Sequence, residues 1–505
     1  MKIEEMIAAN CADCTGCEAC ANVCPRSAIE MILDDEGFAY PKINPELCVK
    51  CGHCDEVCPT LHFVKTFPEA LPKVFAAINL DEKVRRHSAA GGAFTALSEI
   101  ILREGGVVFG AGFDRKFRVV HTCAHNLDEL KNLRGTKYVQ SRIGDVYRQV
   151  KDALKSTKVL FSGTPCQCAG LLSFLGDDEH ENLLTVDLIC HGVPAPAIWE
   201  NYIDALSYAH EVTNVDFGSK KMGWKISHME INFADQGHYL RQINKDPYGN
   251  AFLSGLSERP SCHVCKFKFP SVQSDLTLGD ALGVQYYAPE MFDDKGTSLI
   301  IVHTEKGQKF FEQASLKTQP IDFTDLVLKN PRFITSTIPD ERRTKFFTEY
   351  AKYKYKLSAL QKYAEQDNAV ARQKVSEKSQ RNLMANYQAI LEHYRKSFTR
   401  NILVVTPPLD AKAQKFLGEY FEQGFPDCGL YFLQPESKGN LICYEKFTSL
   451  TFALAENADT LAGFAEQFNI TEIFADDKVK YDSVIVVDWL NACGLPVNVF
   501  SLAEN

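Results

Sequence analysis

Eight cysteines near the start of the chain fall into two runs of identical spacing. Each run has the form C-x2-C-x2-C-x3-C-P, and the runs begin at positions 14 and 48. The cysteines are Cys14, Cys17, Cys20 and Cys24 in the first run, and Cys48, Cys51, Cys54 and Cys58 in the second. Short gaps let three thiolates on one tight loop bind one iron–sulfur cubane, while the fourth cysteine reaches a neighbouring cubane.

This interleaved ligation predicts two 4Fe–4S clusters. We define the first cluster by the ligands Cys14, Cys17, Cys20 and Cys58, and the second cluster by Cys48, Cys51, Cys54 and Cys24. Residues 29–43, with Asp34 to Gly37 at the turn, predict a β-hairpin between the runs. The unit resembles a bacterial ferredoxin with two clusters. A pair of structural zinc ribbons is the alternative, but four ligands for each zinc would not require two such runs.

Length and composition restrict the class of protein. A chain of 505 residues predicts several domains, and 45% hydrophobic with 24% charged residues excludes a disordered chain. The net charge of −10 argues against a nucleic-acid partner, and we find no apolar leader and no membrane span. We therefore expect a cytoplasmic protein, in which 18 cysteines indicate metal or redox chemistry rather than disulfides.

The middle of the chain alternates between helical and strand patterns, which predicts an α/β domain. The predicted elements are a helix over 81–104 interrupted at Gly91 and Gly92, strands at 107–113, 119–124, 158–161 and 183–189, and a helix over 143–154. Cys166 and Cys190 each follow a predicted buried strand, where such folds place functional loops.

Other cysteines are ambiguous when taken alone. Cys262 and Cys265 form a C-x2-C pair, which fits half a zinc site, half a cluster site or two buried thiols. Cys11 precedes the first run, and Cys168 lies two residues beyond Cys166. The sequence leaves open whether Cys11 or Cys168 binds metal.

Five phrases of this region occur in an order that resembles the family of beta subunits of coenzyme F420 hydrogenases and dehydrogenases. They are SAAGGAFTAL at 88–97, RGTKYVQS at 134–141, GTPCQ at 163–167, CHGVP at 190–194 and TLGD at 277–280. Members of that family are flavoproteins that pass electrons between iron–sulfur clusters and an organic acceptor. The resemblance therefore implies FAD and a third 4Fe–4S cluster, which we define by the ligands Cys166, Cys190, Cys262 and Cys265.

The same phrases imply the residues that bind the flavin. They are Ser88, Gly91, Gly92, Thr95, Gly135, Thr136, Lys137, Tyr138, Ser141, Gly279 and Asp280. Ser88, Gly91 and Gly92 lie where a loop enters a helix, so their N–H groups could hold a pyrophosphate. Lys137 offers a positive charge and Tyr138 an aromatic surface. The alternative is that the glycine pair allows close helix packing and that Lys137 is a solvated loop charge.

The fold class that follows is an α+β multidomain protein. Its predicted parts are a ferredoxin-type domain at 1–68, an α/β flavin and 4Fe–4S domain at 69–341, a basic helical segment at 342–400 and a small α/β domain at 401–505 of unknown role. The basic segment has 14 Lys and Arg against 5 Asp and Glu, hence +9. Its alternatives are a solvated helix face and a docking surface for an acidic redox partner.

Two features complete the reading of the C-terminal half. An apolar stripe formed by Leu383, Met384, Tyr387, Ile390, Leu391 and Tyr394 predicts a helix. In the last part of the chain we predict strands at 401–406, 484–487 and 497–501 and a helix at 411–423.

These features together predict an oxidoreductase. Electrons would pass between the clusters and FAD and onward to an organic hydride acceptor such as coenzyme F420, with a redox protein partner as donor. The alternatives are a non-catalytic subunit that relays electrons between partners, and a reductase of another substrate linked to cell-surface polysaccharide metabolism. No residue is assigned as a proton donor. Clusters with accessible thiolates also predict sensitivity to oxygen, as in proteins of anaerobes.

Overall fold

The computed structural model describes residues 2–176, 180–208, 210–352, 360–363 and 369–395, and the strands that follow residue 399. The chain divides into two compact units, Met1–Asn386 and Tyr387–Asn505, which are described separately below. Within these described residues, no helix is both long enough and apolar enough to cross a bilayer.

The regular elements are numbered along the chain. The helices are α1 Ile3–Ala9, α2 Ala19–Val23, α3 His53–Glu56, α4 Glu82–Arg86, α5 Ala93–Arg103, α6 Leu127–Leu130, α7 Val146–Ala153, α8 Pro165–Leu175, α9 Pro196–Ser207, α10 Pro247–Leu253, α11 Val284–Tyr287, α12 Glu305–Gln313, α13 Phe323–Lys329, α14 Arg343–Lys352 and α15 Ala369–Arg395. The strands of the first unit are β1 Ile29–Leu33, β2 Ala39–Ile43, β3 Lys73–Asn79, β4 Val107–Phe113, β5 Val119–Ala124, β6 Val159–Ser162, β7 Leu183–Leu188, β8 Val212–Ser219, β9 His228–Phe233, β10 His238–Gln242, β11 Leu276–Asp280, β12 Ser298–Val302 and β13 Leu316–Ile321.

The N-terminal segment has a ferredoxin-like arrangement, in which the two cysteine runs flank a hairpin. Strands β1 and β2 pair antiparallel with Ile29 opposite Ile43, which confirms the predicted hairpin. Asp34 closes its turn because its Oδ1 accepts N–H groups from Glu36 at 3.0 Å and Phe38 at 2.9 Å. The hairpin thus separates the cysteine runs by a short, well-defined connection.

Buried polar contacts bind this segment to the middle region of the same unit. The Glu18 carboxylate accepts the N–H groups of Ile143 and Gly144 at 2.9 and 3.0 Å. Arg148 donates to the carbonyls of Asn22 at 2.6 Å and Cys24 at 3.0 Å. Since these acceptors flank the first cysteine run, helix α7 and its preceding loop fix the position of that run.

An eight-stranded mixed sheet forms the centre of the first unit, with the order β13-β3-β12-β11-β7-β6-β4-β5. Strands β4, β6, β7 and β11 run parallel, and the remaining neighbours are antiparallel. The carboxyl ends of parallel strands meet at one edge of a sheet, where functional loops cluster. The segments that carry Cys166, Cys190 and Asp280 follow or end β6, β7 and β11, so they share that edge.

A smaller sheet, β10-β9-β8, packs with helices α9 and α10 around an aromatic core. The fully buried Trp199 lies with its ring centroid 4.8 Å from Phe217 and 5.2 Å from Tyr248. This core includes residues of the ferredoxin hairpin such as Phe38, so the hairpin shares its hydrophobic packing with the middle region.

Part of the positive charge after residue 341 is neutralised inside the first unit. Arg343 contacts both carboxylate oxygens of Glu36, at 2.9 and 2.6 Å, and Arg342 pairs with Asp340. The ion pair between Arg343 and Glu36 therefore connects the basic segment to the ferredoxin hairpin. These contacts account for some of the basic side chains, while the docking surface stays a prediction.

In the second unit the strands form a six-stranded mixed sheet with the order β17-β16-β15-β14-β18-β21. Its strands are β14 Arg400–Val405, β15 Cys428–Pro435, β16 Leu441–Glu445, β17 Phe452–Leu454, β18 Glu472–Asp476 and β21 Val497–Phe500, and a separate pair is formed by β19 Lys480–Tyr481 and β20 Val484–Ile485. The strands predicted at 401–406, 484–487 and 497–501 are confirmed with small shifts of their ends. Helix α15 contains the predicted apolar stripe, whereas the helix predicted at 411–423 lies outside the described residues.

A buried carboxyl group lies inside the main sheet. Asp187 of β7 is 0% exposed and accepts a hydrogen bond from the Thr277 hydroxyl, which also lies 2.8 Å from Nε2 of His303. Burial raises the pKa of Asp187 to about 7, against the lowering effect of its hydrogen bonds. The folded protein therefore retains this proton at a pH where the unfolded chain has lost it.

We expect Asp187→Asn to gain stability relative to the original protein as pH rises from about 5.5 to about 8. Because the folded-state pKa is raised, the Asp187 contribution is complete below the unfolded pKa and is lost as pH rises through about 7. The relative gain between these two pH values should be about 2 kcal/mol, because the unfolded carboxyl has already lost its proton at about pH 5.5 and the folded one loses it near pH 7. Unfolding of both proteins at the two pH values measures it, and an equal difference at both values would refute the assignment.

Candidate functional site

The four thiols assigned to the first cluster lie within electrostatic reach of one another. Burial, with smaller contributions from Cys58 and Cys14, raises the pKa of Cys17 to about 12. Burial also raises the pKa of Cys20, with smaller contributions from Cys17, Cys14, Cys58 and Cys54. Buried thiols of this kind stay protonated unless a cation stabilises the thiolate, which is the role of ligated iron. The donor set therefore fits a 4Fe–4S cluster.

The cysteines of the second cluster lie nearer the protein surface. Burial raises the pKa of Cys54 to about 11, and Cys48 adds to this effect. Cys51 is exposed, and the sulfurs of Cys24 and Cys48 accept backbone N–H groups from Ala28 at 3.2 Å and Lys50 at 3.4 Å. Hydrogen bonds to sulfur and solvent exposure both tune the potential of a bound cluster. The inclusion of Cys24 in this set stays a prediction.

The four cysteines of the third cluster come from three separate segments, namely the first turn of α8, the loop after β7 and the short 3-10 helix at Pro260–Val264 with its C-cap. Burial raises the pKa of Cys262, with smaller electrostatic contributions from Cys190, Cys265 and Cys166. Burial also raises the pKa of Cys166, with smaller contributions of the same kind from Cys265 and Cys190. Burial raises the pKa of Cys190 to about 11, although Lys268 lowers it. The Lys268 ammonium also donates to the Cys190 carbonyl, which holds that loop in place. This set of thiols fits a cubane in the same way as the first.

Cys168 lies apart from this group by its position on α8, although Cys166 is among its electrostatic neighbours. Its side chain is 1% exposed, and its main charged neighbour is Asp187. Since two residues rotate a helix by about 200°, Cys166 and Cys168 lie on opposite faces of α8.

Cys11 is exposed at the start of a short 3-10 helix. In the part of the chain that the structure describes, no three His, Cys, Asp or Glu side chains converge as ligands of a single ion.

The first and third cysteine sets are direct neighbours. A Cβ placed on Gly170 would lie 2.9 Å from Cβ and 3.1 Å from Sγ of Cys17, so the backbone of α8 packs against the Cys17 loop. Gly170 is four residues after Cys166 and shares its helix face. Cys17 is accordingly among the charged neighbours of Cys166.

A buried acid lies beside the third set. Glu258 is 0% exposed, with His191 Nε2 at 3.4 Å and His263 Nδ1 at 3.6 Å from its carboxylate oxygens. Burial raises the pKa of Glu258 to about 8 and lowers those of His191 and His263 to about 3 and about 4. The three groups are therefore neutral near pH 7, so these contacts are not ion pairs. Neither contact is a hydrogen bond, so both Glu258 carboxyl oxygens and His191 Nε2 are buried without a hydrogen-bond partner among the described residues.

A large cleft of about 1170 Å³ opens on the first unit. Four of the predicted flavin contacts line it, namely Ser88, Gly135, Thr136 and Lys137. The Lys137 ammonium donates to three carbonyls of its own loop, those of Asn132 at 3.3 Å, Arg134 at 2.9 Å and Gly135 at 3.2 Å. Lys137 thus closes the loop at the cleft wall as well as lining it.

The other seven predicted contacts are not among the residues that line the cleft. A Cβ on Gly91 would lie 2.2 Å from the Ala77 carbonyl oxygen, and the Gly91 N–H donates to Ser298 at 2.9 Å. Gly92 precedes α5 with φ +87°, where a side chain would be strained. Gly91 thus packs closely against strands β3 and β12 and uses its own N–H within the protein, while pyrophosphate binding at this turn stays a prediction. Thr95, Tyr138, Ser141, Gly279 and Asp280 complete the seven, and their flavin contacts stay predictions.

Aromatic side chains connect the third cysteine set with the cleft wall. The His191 ring lies 4.9 Å from Phe252, and Phe252 lies 5.1 Å from Tyr138, next to Lys137. Ser141 contacts His121 at 2.9 Å and accepts from Gln167 of α8 at 3.0 Å. Phe252 was not singled out from the sequence, because nothing in its local pattern distinguishes it from a core residue.

The fold and the cysteine sets together define an iron–sulfur protein with a ferredoxin-like segment bound to a mixed α/β sheet. Two regions match known families. Residues 13–61 match the 4Fe-4S dicluster domain, and residues 156–326 match the family described as the C terminus of the coenzyme F420 hydrogenase/dehydrogenase beta subunit. The chain thus carries an N-terminal dicluster domain and a domain of the family of coenzyme F420 hydrogenase/dehydrogenase beta subunits, which confirms the resemblance found in the sequence.

Individual relatives agree with these two assignments. Over 54 residues the chain is 52% identical to an uncharacterized polyferredoxin-like protein of Methanocaldococcus jannaschii, covering 9% of this chain and 32% of that protein. It is 26% identical to the coenzyme F420-dependent sulfite reductase of the same organism, covering 60% of this chain and 46% of the relative. It is 21% identical to one subunit of the F(420)H(2) dehydrogenase of Methanosarcina mazei, covering 59% of this chain and 81% of that relative.

The chain spans about a third and about half of the length of the first two of these relatives. A solved structure, the F420-reducing NiFe hydrogenase complex from Methanosarcina barkeri, matches with a TM-score of 0.36 and 17% identity over 59% of this chain and 94% of that chain. The chain thus contains a 4Fe-4S dicluster domain and a region similar to subunits of coenzyme F420 oxidoreductases.

Proposed function

We propose that this protein is a flavin-dependent oxidoreductase that passes electrons through three 4Fe–4S clusters to FAD and then to an organic hydride acceptor such as coenzyme F420. The observation that carries the proposal is the contact between Gly170 and Cys17, which makes the first and third cysteine sets neighbours. A simple ferredoxin would not need a second protein region packed against its buried cluster. The names of the relatives support the choice of coenzyme F420 as acceptor.

The order of the sites follows from their exposure. The second set includes the exposed Cys51, whereas Cys17 of the first set is buried against α8. A redox protein partner would therefore deliver or remove electrons at the second cluster, and the first cluster would connect it to the third. The names of relatives that are subunits of larger enzymes support such a partner.

The cleft is the candidate site for FAD. Its volume of about 1170 Å³ is slightly above the range of about 300–1,000 Å³ for small-molecule and cofactor pockets, so it is large enough for FAD. FAD would supply the step that exchanges single electrons with the clusters and an electron pair with the acceptor. The chain's own residues hold this site: Lys137 fixes the loop at its wall, and Tyr138 and Phe252 pack between the cleft and the third cysteine set.

Iron, acid-labile sulfide, zinc and flavin content per chain test the proposal on protein purified without oxygen. We expect about 12 Fe with one FAD, as three cubanes and one flavin require. About 8 Fe without flavin would instead favour the relay function, in which the middle region only conducts electrons between partners. Zinc in place of iron would refute both functions.

Lys137→Met is expected to lower the FAD content of the purified protein by about tenfold, since it frees three loop carbonyls and removes an amino group whose pKa is lowered by burial to about 7. Lys155→Met is the matched control, because Lys155 is exposed and pairs only with the surface residue Asp152. Flavin released by denaturation is quantified against protein, with iron measured in parallel. Equal flavin content in the two variants would contradict the assignment of the cleft.

A further inference from the structure

A buried cation lies beside the first cysteine set. Arg259 is 0% exposed and has no assigned role. Its Nε donates to the Cys14 carbonyl at 2.9 Å, and its Nη2 lies 3.7 Å from Cys14 Sγ. The remaining bonds run from Nη1 to Gln140 Oε1 at 3.0 Å and from Nη2 to the Ala39 carbonyl at 3.1 Å. The guanidinium therefore contacts a cluster ligand through both backbone and sulfur.

The position of this guanidinium is fixed on several sides. Its central carbon lies 4.3 Å from the ring centroid of Tyr40 and 5.4 Å from that of Phe38. A Cβ on Gly16 would lie 2.7 Å from Nη1, so the backbone of the cysteine loop touches the guanidinium directly. Aromatic faces and backbone atoms thus leave Arg259 little freedom to move, and they shield its charge from water.

Arg259 also lacks a carboxylate partner. Among the described residues, no Asp or Glu oxygen forms an ion pair with it; Glu18 lies within its electrostatic reach but accepts backbone N–H groups instead. An uncompensated buried charge costs several kcal/mol. The groups that act electrostatically on Arg259 are, in order, Cys14, Tyr40, Cys262 and Cys166, of which the cysteines become thiolates when they bind iron. Cys262 also donates its N–H to the Arg259 carbonyl at 2.9 Å. The counter-charge of Arg259 is therefore the ligand shell of the first cluster, and more distantly that of the third.

We propose that Arg259 is a positioning residue that raises the reduction potential of the first cluster and, to a smaller extent, that of the third. Reduction adds one electron to a cluster and makes it more negative, with no bond broken and no proton required. A fixed cation and an N–H donor at sulfur stabilise that extra negative charge, and the second cluster does not share this contact. The inference rests on the proposed function only in assuming that the clusters bind where the cysteines converge.

Redox titrations followed by electron paramagnetic resonance test the proposal on the full chain. Signals are assigned with Cys51→Ala for the second cluster and Cys262→Ala for the third. In Arg259→Gln we expect the equilibrium constant for reduction of the first cluster to fall at least tenfold, about 59 mV for a one-electron couple. We expect a smaller fall for the third cluster and none for the second. Arg259→Lys keeps the charge but loses the forked set of N–H donors. Its equilibrium constant for reduction should therefore fall less, again most for the first cluster, less for the third and not for the second.

Arg85→Gln is the matched control, because Arg85 is also a buried arginine but pairs with Asp293 away from the cysteines. Full iron with unchanged potentials in Arg259→Gln would overturn the proposal, as would an equal shift in Arg85→Gln. Should Arg259→Gln fail to assemble its clusters, Arg259→Lys decides: a lowered potential of the first cluster supports the proposal, and an unchanged one overturns it. Absence of iron from the original protein would instead overturn the proposed function, so the two failures are distinguishable.

Discussion

Replacing Cys262 by alanine is expected to lower the iron content by about four atoms per chain, the amount in one cubane. Cys262 has all three other cysteines of the third cluster among its neighbours, so its loss leaves a thiol shell with one ligand missing. Three thiols cannot complete the four-thiolate shell of a cubane. Acid-labile sulfide should fall in parallel with iron, while the first and second clusters keep their signals.

Cys168→Ala is the matched control for this experiment. Both residues lie in the same region of the protein, but Cys168 lies on the face of α8 opposite Cys166, next to Asp187. We expect its iron content to equal that of the original protein. Unchanged iron content in Cys262→Ala would refute the existence of the third cluster. Equal loss of iron in both variants would show that the loss results from destabilisation of the protein rather than from a missing ligand.

Gly170→Val is expected to separate the first cluster from the third. Its Cβ would lie 2.9 Å from Cys17 Cβ and 3.0 Å from the Tyr147 hydroxyl, so either the Cys17 loop or α8 must move. Overpacking of this kind costs about 1–3 kcal/mol. We expect either loss of about four Fe or a displaced first cluster, and flavin reduction through the clusters slowed by about a hundredfold, the effect of a shift near 1 Å.

Ser173→Val controls for a β-branched residue in the same helix, since Ser173 is partly exposed on α8. Iron content, electron paramagnetic resonance and stopped-flow reduction of bound flavin by a reduced ferredoxin would be compared in the two variants. Normal flavin reduction in Gly170→Val would exclude the contact between α8 and the Cys17 loop as the route for electrons.

The cysteine runs and the hairpin between them could be predicted because their information is local. Spacings of two and three residues bring thiols together within one loop, and the turn at Asp34 is closed by side-chain contacts within five residues. The strands β4 and β5 were likewise predictable, since their apolar patterns are continuous and bounded by turns.

The contacts of the predicted flavin residues could not be predicted from local sequence alone. Gly91 and Gly92 have the pattern of a phosphate-binding loop, yet Gly91 packs against Ala77 and Ser298, which are distant in sequence. Lys137 has the pattern of a free loop charge, yet three carbonyls of its own loop accept its hydrogen bonds. A short glycine or lysine motif specifies what the backbone can do, but the surrounding elements decide which partner it contacts.

The sequence by itself predicted the iron–sulfur cysteine runs, the family resemblance and four of the eight strands of the main sheet, because cysteine spacing and hydrophobic periodicity are properties of contiguous residues. Only the tertiary structure decided that Cys168 lies away from the Cys166 set, that Gly170 meets Cys17 and that Arg259 lies buried at Cys14. These contacts join residues up to 245 positions apart. They depend on how α8, the Cys262 loop and the ferredoxin segment pack against one another, and local sequence patterns do not specify that packing.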